Sequence, residues 1–107
     1  MEFDKVIHEP ARLRIMMILS GIDEADFNFM LSTLEITRGN LSSHMDRLEQ
    51  AGYVKILKSF NGKIPNTAYC LTKIGEGALS KYWETLEEIK KLSKASLGAK
   101  HSQGPRS

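Results

Sequence analysis

Hydrophobic residues recur at spacings of three and four in three successive stretches of the first half of the chain, and each stretch predicts an amphipathic helix. Pro10 suits the first position of the first helix, because its missing N–H would have no partner there. Asp26 and Thr37 are the predicted N-caps of the second and third helices, and Gly52 ends the third. The predicted buried faces are Ala11, Ile15, Ile18 and Leu19, then Phe27, Met30, Leu31 and Leu34, then Leu41, Met45 and Leu48.

After Gly52 the pattern changes to an alternation of apolar and polar residues, which predicts two strands within residues 53–71. Asn61-Gly62 predicts a two-residue hairpin turn of type I′, in which both central residues have positive φ. Pro65 weakens the second strand near its start and favours an edge position there.

A last helix is predicted from Thr72, its N-cap, to about Ser96. At 1.5 Å per residue it would be about 36 Å long, which exceeds the width of roughly 25 to 30 Å of a body this size. We therefore expect its apolar stripe to bury against a second copy in a C2 homodimer, an interface that residues 3–8 can join. The alternative is that it packs only onto its own domain. The predicted interface residues are Leu79, Tyr82, Trp83, Leu86 and Ile89.

These elements predict a mainly α fold with a small β-hairpin, of the α+β class: a winged helix-turn-helix with a long C-terminal helix for dimerisation. A length of 107 residues fits one domain. We assign residues 1–96 to it, with the dimerisation helix at about 72–96. The polar segment 97–107 has no apolar stripe and is predicted to be a disordered tail.

Composition narrows the function classes. With 41% hydrophobic and 26% charged residues and no apolar run near the roughly 20 residues of a membrane span, the chain resembles a soluble domain. The N-terminus is acidic and lacks the features of a signal peptide, so we expect a cytoplasmic protein. Cys70 is the single cysteine, which excludes an intramolecular disulfide. On an alternating strand it is predicted to be a small buried hydrophobe rather than a redox switch.

Charge is segregated along the chain. Residues 37–73 hold six Lys or Arg against two acids, a balance of +4, whereas residues 1–36 balance at −4. The positive field therefore coincides with the third helix and the hairpin, which is typical of a surface that binds DNA.

The outer face of the third helix is small and polar toward its N-terminal half, the half that enters the major groove in helix-turn-helix proteins. Gly39 would allow close backbone approach, Asn40 matches an adenine edge, and Arg47 can bind guanine or phosphate. Phosphate contacts are predicted for Arg38, Ser42, Ser43 and His44. The alternative is an ordinary solvated helix face.

Lys58 and Lys63 flank the hairpin turn. When the third helix lies in the major groove, they would place positive charge at the adjacent DNA backbone or minor groove. The alternative is a structural hairpin whose lysines keep an edge soluble.

No Gly-rich phosphate loop, paired metal-ligating histidines or nucleophile beside a base is recognisable in the sequence. We therefore expect no enzyme activity, no cofactor and no metal site.

The run from Asn40 to Val54, followed by the hairpin and Tyr69-Cys-Leu-Thr-Lys-Ile-Gly75, resembles winged-helix transcriptional regulators of the MarR and ArsR superfamily. It is especially similar to small stand-alone MarR-like proteins, over residues 5 to about 90. The resemblance implies that helix 37–51 reads the major groove, that the hairpin is the wing and that the terminal helices form a homodimer. By position it implies that Arg38, Asn40, Ser43, His44 and Arg47 face DNA and that Lys58 and Lys63 lie on the wing.

The chain departs from the family pattern at two points. The Asp-x-Arg motif of larger MarR wings is absent from the hairpin, which reads Asn61-Gly-Lys-Ile-Pro65, and the Cys-rich metal-sensing helix of ArsR relatives is missing. The expected partners are double-stranded DNA and a second copy, with no membrane, and any small-molecule effector is unknown. The expected function is transcription regulation at specific DNA sites, and the alternative is a winged-helix module that binds proteins and little DNA.

Overall fold

The computed structural model describes residues 1–102, with side chains up to Ala95, and within that range the chain forms four helices and three strands. The helices and strands follow one another in the order that the sequence predicts, except for one additional strand before the second helix. The elements are α1 (Pro10–Ser20), β1 (Ala25–Asp26), α2 (Phe27–Leu34), α3 (Arg38–Gln50), β2 (Val54–Asn61), β3 (Ile64–Leu71) and α4 (Lys73–Ser102).

Side-chain caps fix where the helices begin. The Asp26 carboxylate accepts the N–H of Phe29 at 2.7 Å, and the Thr37 hydroxyl accepts the N–H of Asn40 at 3.1 Å, which confirms both predicted N-caps. The Thr72 hydroxyl accepts the N–H of Gly75 at 3.0 Å, as the predicted cap of α4 requires.

The three strands form an antiparallel sheet in the order β1-β3-β2. β1 was not predicted, because its two residues, Ala25 and Asp26, lie in a segment that reads as an acidic loop and pair only with Tyr69 and Ala68 of a distant strand. Pro65 lies beyond the reach of β1 and faces Phe60 of β2, so it occupies a locally free edge of β3, as predicted.

The hairpin turn lies one residue later than predicted. Asn61 pairs with Ile64, so the two connecting residues are Gly62 and Lys63. Gly62 has φ +68°, whereas neither Asn61 nor Lys63 has positive φ, and a type I′ turn at Asn61-Gly62 is therefore wrong. A glycine with positive φ at the first central position is the requirement of a type II′ turn, the other hairpin turn that matches strand twist.

The core lies between the helices and the inner face of the sheet. Leu41, Met45 and Leu48 of α3 are buried, which confirms the predicted inner face of that helix. In α1 Met16 is buried and Ile18 is only half-buried. The buried face of that helix is therefore rotated toward Met16 relative to the predicted face, which included Ile18.

The last helix is longer than predicted. It reaches Ser102, so the prediction of disorder from residue 97 is wrong for residues 97–102, while 103–107 lie outside the described residues. The sequence placed the end of the helix where its apolar stripe ends, but a helix can continue beyond its stripe. No helix in the described part of the chain is long and apolar enough to cross a membrane.

Candidate nucleic-acid interface

The outer face of α3 is open to solvent. Its predicted DNA-facing residues are exposed, apart from His44, and an added Cβ at Gly39 would meet nothing within 4 Å. An exposed polar surface of this kind allows a duplex to approach the helix backbone. The exposed members of the predicted set are Arg38, Gly39, Asn40, Ser42, Ser43 and Arg47.

Arg38 lies where α3 meets the wing. Its guanidinium carbon stands 5.5 Å from the centre of the Phe27 ring, and Nη2 donates to the side-chain oxygen of Asn28 at 3.5 Å. These contacts hold a cation at the rim of a polar cleft of about 190 Å³, which we call the notch. The notch is lined by Phe27, Asn28, Arg38, Pro65, Asn66 and Thr67.

The notch joins two surfaces that the sequence treats separately. Asn28 belongs to α2, Arg38 to the first turn of α3, and Asn66 with Thr67 to strand β3 of the wing. Amide, hydroxyl and guanidinium donors therefore converge between the helix and the wing, which suits a phosphate group. Sequence reasoning missed Asn28, Asn66 and Thr67, because their proximity to Arg38 depends on how the sheet folds back toward α2.

His44 differs from the rest of the predicted DNA-facing set. It is half-buried on the flank of α3 that faces α1, with Nδ1 at 3.3 Å from the Arg12 guanidinium and Nε2 at 3.9 Å from the Glu9 carboxylate. Because the guanidinium can only donate, Nδ1 of His44 is the acceptor of this contact and Nε2 is the nitrogen on the side of Glu9. The side chain of His44 thus ties α3 to the start of α1, and the structure does not place it beside the exposed residues of the face.

The wing carries its charges as predicted, but its tip is apolar. Lys58 and Lys63 are exposed. Phe60 and Ile64, which sequence reasoning did not single out, are 73% and 69% exposed. A phenylalanine and an isoleucine within two residues of a hairpin turn are the signal that could have identified them.

Tyr69 of β3 is buried in the core. Burial raises the pKa of the Tyr69 hydroxyl, and the charges of Asp46 and Glu49 raise it further. The phenol is therefore neutral over the physiological range, so it adds no charge beside these carboxylates. The half-buried thiol of Cys70 follows on the same strand.

The predicted dimer stripe of α4 divides into two parts. Leu79 and Tyr82 are only 5% and 6% exposed and belong to the core of their own chain, so they are not available to a partner. Their assignment to a dimer interface is a misassignment, which arose because the sequence does not show how far α4 packs on its own domain. Trp83 is exposed, and Leu86 and Ile89 are half-buried.

Tyr82 is held by the N-terminal segment. The ring of His8 stacks on Phe3 with centroids 4.4 Å apart, and Nδ1 of His8 is 3.0 Å from the Tyr82 hydroxyl. Phe3 also packs against the Tyr82 ring. This cluster fills the space that the predicted partner would need at Tyr82. The later turns of α4 are not covered in this way, because every residue from Lys90 to Ala95, where the description of the side chains ends, is exposed.

A helix-turn-helix followed by an antiparallel hairpin, with a polar helix face and a lysine-bearing wing, defines a winged-helix DNA-binding domain. Residues 11–90 match the family described as the winged helix DNA-binding domain, and the chain belongs to that family. The predicted fold class and the resemblance to winged-helix regulators are therefore confirmed.

Two archaeal proteins are similar over most of their length. An uncharacterized protein of Methanocaldococcus jannaschii is 33% identical over 91 residues, which cover 84% of this chain and 95% of that protein. The solved structure of a transcriptional regulator homologue from Pyrococcus horikoshii is 30% identical, with a TM-score of 0.77 over 82% of this chain and 87% of that chain.

A more distant likeness is to a zinc-responsive MarR family member of Lactococcus lactis. It is 18% identical, with a TM-score of 0.58, and the match covers 84% of this chain and 60% of that chain. At this identity the likeness shows the shared fold alone.

Proposed function

We propose that the protein is a sequence-specific transcription regulator that binds double-stranded DNA as a homodimer, with α3 in the major groove and the wing on the adjacent backbone or minor groove. One observation carries this proposal: Arg38, in the first turn of α3, lines one polar cleft together with Asn66 and Thr67 of the wing. The Pyrococcus relative, a transcriptional regulator homologue by name, supports a regulatory role.

Within this surface the residues divide by what they can reach. Asn40 and Arg47 are exposed on α3 and are assigned to base edges, which an amide and a guanidinium can read through paired hydrogen bonds. Arg38, Ser42 and Ser43 are assigned to phosphates, with Asn28 and Thr67 as further donors in the notch. His44 is left out, because its ring nitrogens face Arg12 and Glu9.

Selection of bound sequences from a random duplex library would test the function and reveal the site. A duplex so obtained should bind with an affinity that falls steeply between low and physiological salt. Arg47→Ala should weaken binding by about 1 to 3 kcal/mol and relax specificity at one position. Arg14→Ala is the matched control, since Arg14 is an exposed arginine of α1 that lies off the interface, and it should change little.

The alternative is a winged helix that binds proteins. It would be favoured if no duplex is enriched, or if the triple substitution of Arg38, Arg47 and Lys63 by alanine leaves binding unchanged at low salt. Either result would overturn the regulator.

Dimerisation is assigned to the part of α4 that extends beyond the domain body. Leu92 is 56% exposed and continues the stripe of Leu86 and Ile89 by one turn, so a second copy of the helix can bury it. Two copies related by a two-fold axis would present their α3 helices to half-sites about 34 to 36 Å apart, which predicts a near-palindromic site.

The dimer is tested by substituting Leu92. Leu92→Glu should shift the molar mass in solution toward the monomer, because it places a charge in the interface without touching the domain core. Lys73→Gln changes the net charge by the same amount at the exposed start of α4, far along the helix from Leu92, and should leave the mass unchanged. A wild-type chain that is monomeric at high concentration would refute the dimer while leaving the DNA interface to be judged by the binding assay.

A further inference from the structure

The tip of the wing is built from apolar side chains that the fold does not use. Phe60 and Ile64 are 73% and 69% exposed, more than any other large hydrophobic residue whose side chain the structure describes. Exposed apolar residues at the end of a hairpin add nothing to the core and favour aggregation. Their position on the wing therefore suggests a contact outside the chain.

The strand register makes the tip apolar on both sides. Phe60 faces Pro65 across the hairpin, and Asn61 faces Ile64. Since successive residues of a strand point to opposite faces, Phe60 and Pro65 project from one face of the hairpin and Ile64 from the other. The wing thus ends in a narrow apolar wedge.

Positive charges border this wedge. Lys58 lies two residues before Phe60 on the same face, and Lys63 in the turn is next to Ile64. The minor groove has the complementary arrangement, with apolar sugar walls and base edges between two rows of phosphates. The lysine positions therefore favour a duplex over an uncharged apolar partner.

The dimensions determine what kind of contact is possible. Two paired strands lie about 4.8 Å apart before side chains are counted, whereas the minor groove of B-form DNA is only about 6 Å wide. The whole hairpin cannot enter an undistorted groove, so side chains of the tip must enter alone or the groove must widen. Apolar side chains inserted between base steps from the minor groove unstack them and bend the duplex toward the major groove.

From this geometry we propose that the wing is a minor-groove wedge: Phe60 and Ile64 insert against the sugars and a base step beside the major groove occupied by α3, and they bend the DNA. The proposal rests on the proposed function and adds a specificity determinant to it. Pyrimidine–purine steps such as TA and CA unstack most easily, so the wedge favours them at the position below the wing.

A double substitution that leaves the net charge unchanged distinguishes the contribution of the apolar wedge to DNA binding from the contribution of the lysines. Phe60→Ser with Ile64→Ser should weaken binding to a library-selected 30-base-pair duplex by about tenfold at fixed salt. The slope of log K against log salt should stay at its wild-type value, because no phosphate contact is lost. Lys58→Ala with Lys63→Ala should instead reduce that slope by about one for each lysine.

The bend itself can be measured by energy transfer between dyes at the two ends of the same duplex. Wild-type protein should shorten the end-to-end distance, and the serine double variant should do so less at saturating concentration. Ile74→Ser is the matched control: Ile74 is 66% exposed at the start of α4 and outside the interface, and its substitution should alter neither affinity nor bend. Selection repeated with the serine variant should lose enrichment of TA or CA below the wing.

The outcomes distinguish the wedge from the regulator. If wild-type protein binds the duplex but the serine variant matches it in affinity and bend, the wedge is wrong and the regulator stands. If the serine variant instead lowers the molar mass of the free protein, the tip contacts a second copy and the wedge is again wrong. If wild-type protein binds no duplex at low salt, the proposed function fails and the wedge with it.

Discussion

Helix α3 and the wing form the two halves of the proposed DNA surface, but they are anchored differently. Leu41, Met45 and Leu48 hold α3 along its whole length, each at most 1% exposed. The wing is attached at its base, where Val54, Ala68 and Tyr69 are buried, and its side chains become exposed toward Phe60 and Ile64. Hydrophobic residues therefore stabilise the fold in α3, whereas at the wing tip they are free to serve binding.

The largest expected effect concerns the anchored half. Leu48→Ala should lower the free energy of unfolding by about 2 to 5 kcal/mol, because it removes a fully buried side chain and leaves a cavity. Gln50→Ala, on the exposed side of the same helix, is the control and should change stability by less than about 0.5 kcal/mol. Urea denaturation followed by circular dichroism measures both, and a small loss at Leu48 would contradict the contrast between helix and wing.

The base of the wing depends on close packing against the start of α4. A Cβ added at Gly75 would overlap the carbonyl oxygen of Tyr53, which accepts the N–H of Thr72 at 3.0 Å. Gly75→Ala should therefore destabilise the protein by about 1 to 3 kcal/mol, because either the wing base or α4 must move.

Gly77 is the matched control for this substitution. It lies two residues later in the same helix, and an added Cβ there meets nothing within 4 Å. Gly77→Ala should stabilise the protein by about 0.5 to 1 kcal/mol through its helix propensity. If Gly75→Ala raises the thermal midpoint as Gly77→Ala does, close packing at Gly75 does not hold the wing base.

The difference between helix and wing also determines what the sequence could predict. The caps Asp26 and Thr37 and the buried face of α3 follow from local spacing, so the structure confirms them. The strand β1 and the notch depend on contacts between distant segments, which no local pattern encodes. His44 shows the limit for single residues: its place on the helix flank was predicted, but its neighbours Arg12 and Glu9 were not.

The apolar stripe of α4 illustrates the same limit at the level of an interface. Periodicity correctly predicted that Leu79 and Tyr82 are buried, but it could not tell burial in the same chain from burial against a partner. The residues that decided the question, Phe3 and His8, precede the first helix and have no periodic pattern.

The smallest expected effect concerns a hydrogen bond that ties the wing base to the N-terminal segment. The Tyr53 hydroxyl donates to the Asp4 carboxylate, whose other oxygen accepts the N–H of Val6 at 2.8 Å. Tyr53→Phe should destabilise the protein by about 1 kcal/mol. This loss is smaller than that expected for a fully buried hydrogen bond to a charged group, because the pair is partly exposed to solvent. Urea midpoints at pH 7 measure this loss.

The same bond gives the substitution a distinctive dependence on pH. The hydrogen bond to Asp4, followed by burial and by the negative charge of Asp4, raises the pKa of Tyr53 from 10.0 to about 12. Between these values the folded state holds the proton that the unfolded state has lost, so the contribution is complete below about pH 10 and disappears as the pH rises toward 12. The difference in stability between wild type and Tyr53→Phe should therefore be constant from pH 7 to 9 and shrink above pH 10. Tyr69, whose pKa is also raised, is present in both proteins and cancels from the difference. A difference that stays constant to pH 11.5 would show that the contribution of the Tyr53 hydroxyl does not depend on Asp4, and that the wing base is held by its buried residues, such as Val54 and Tyr69, and by close packing at Gly75.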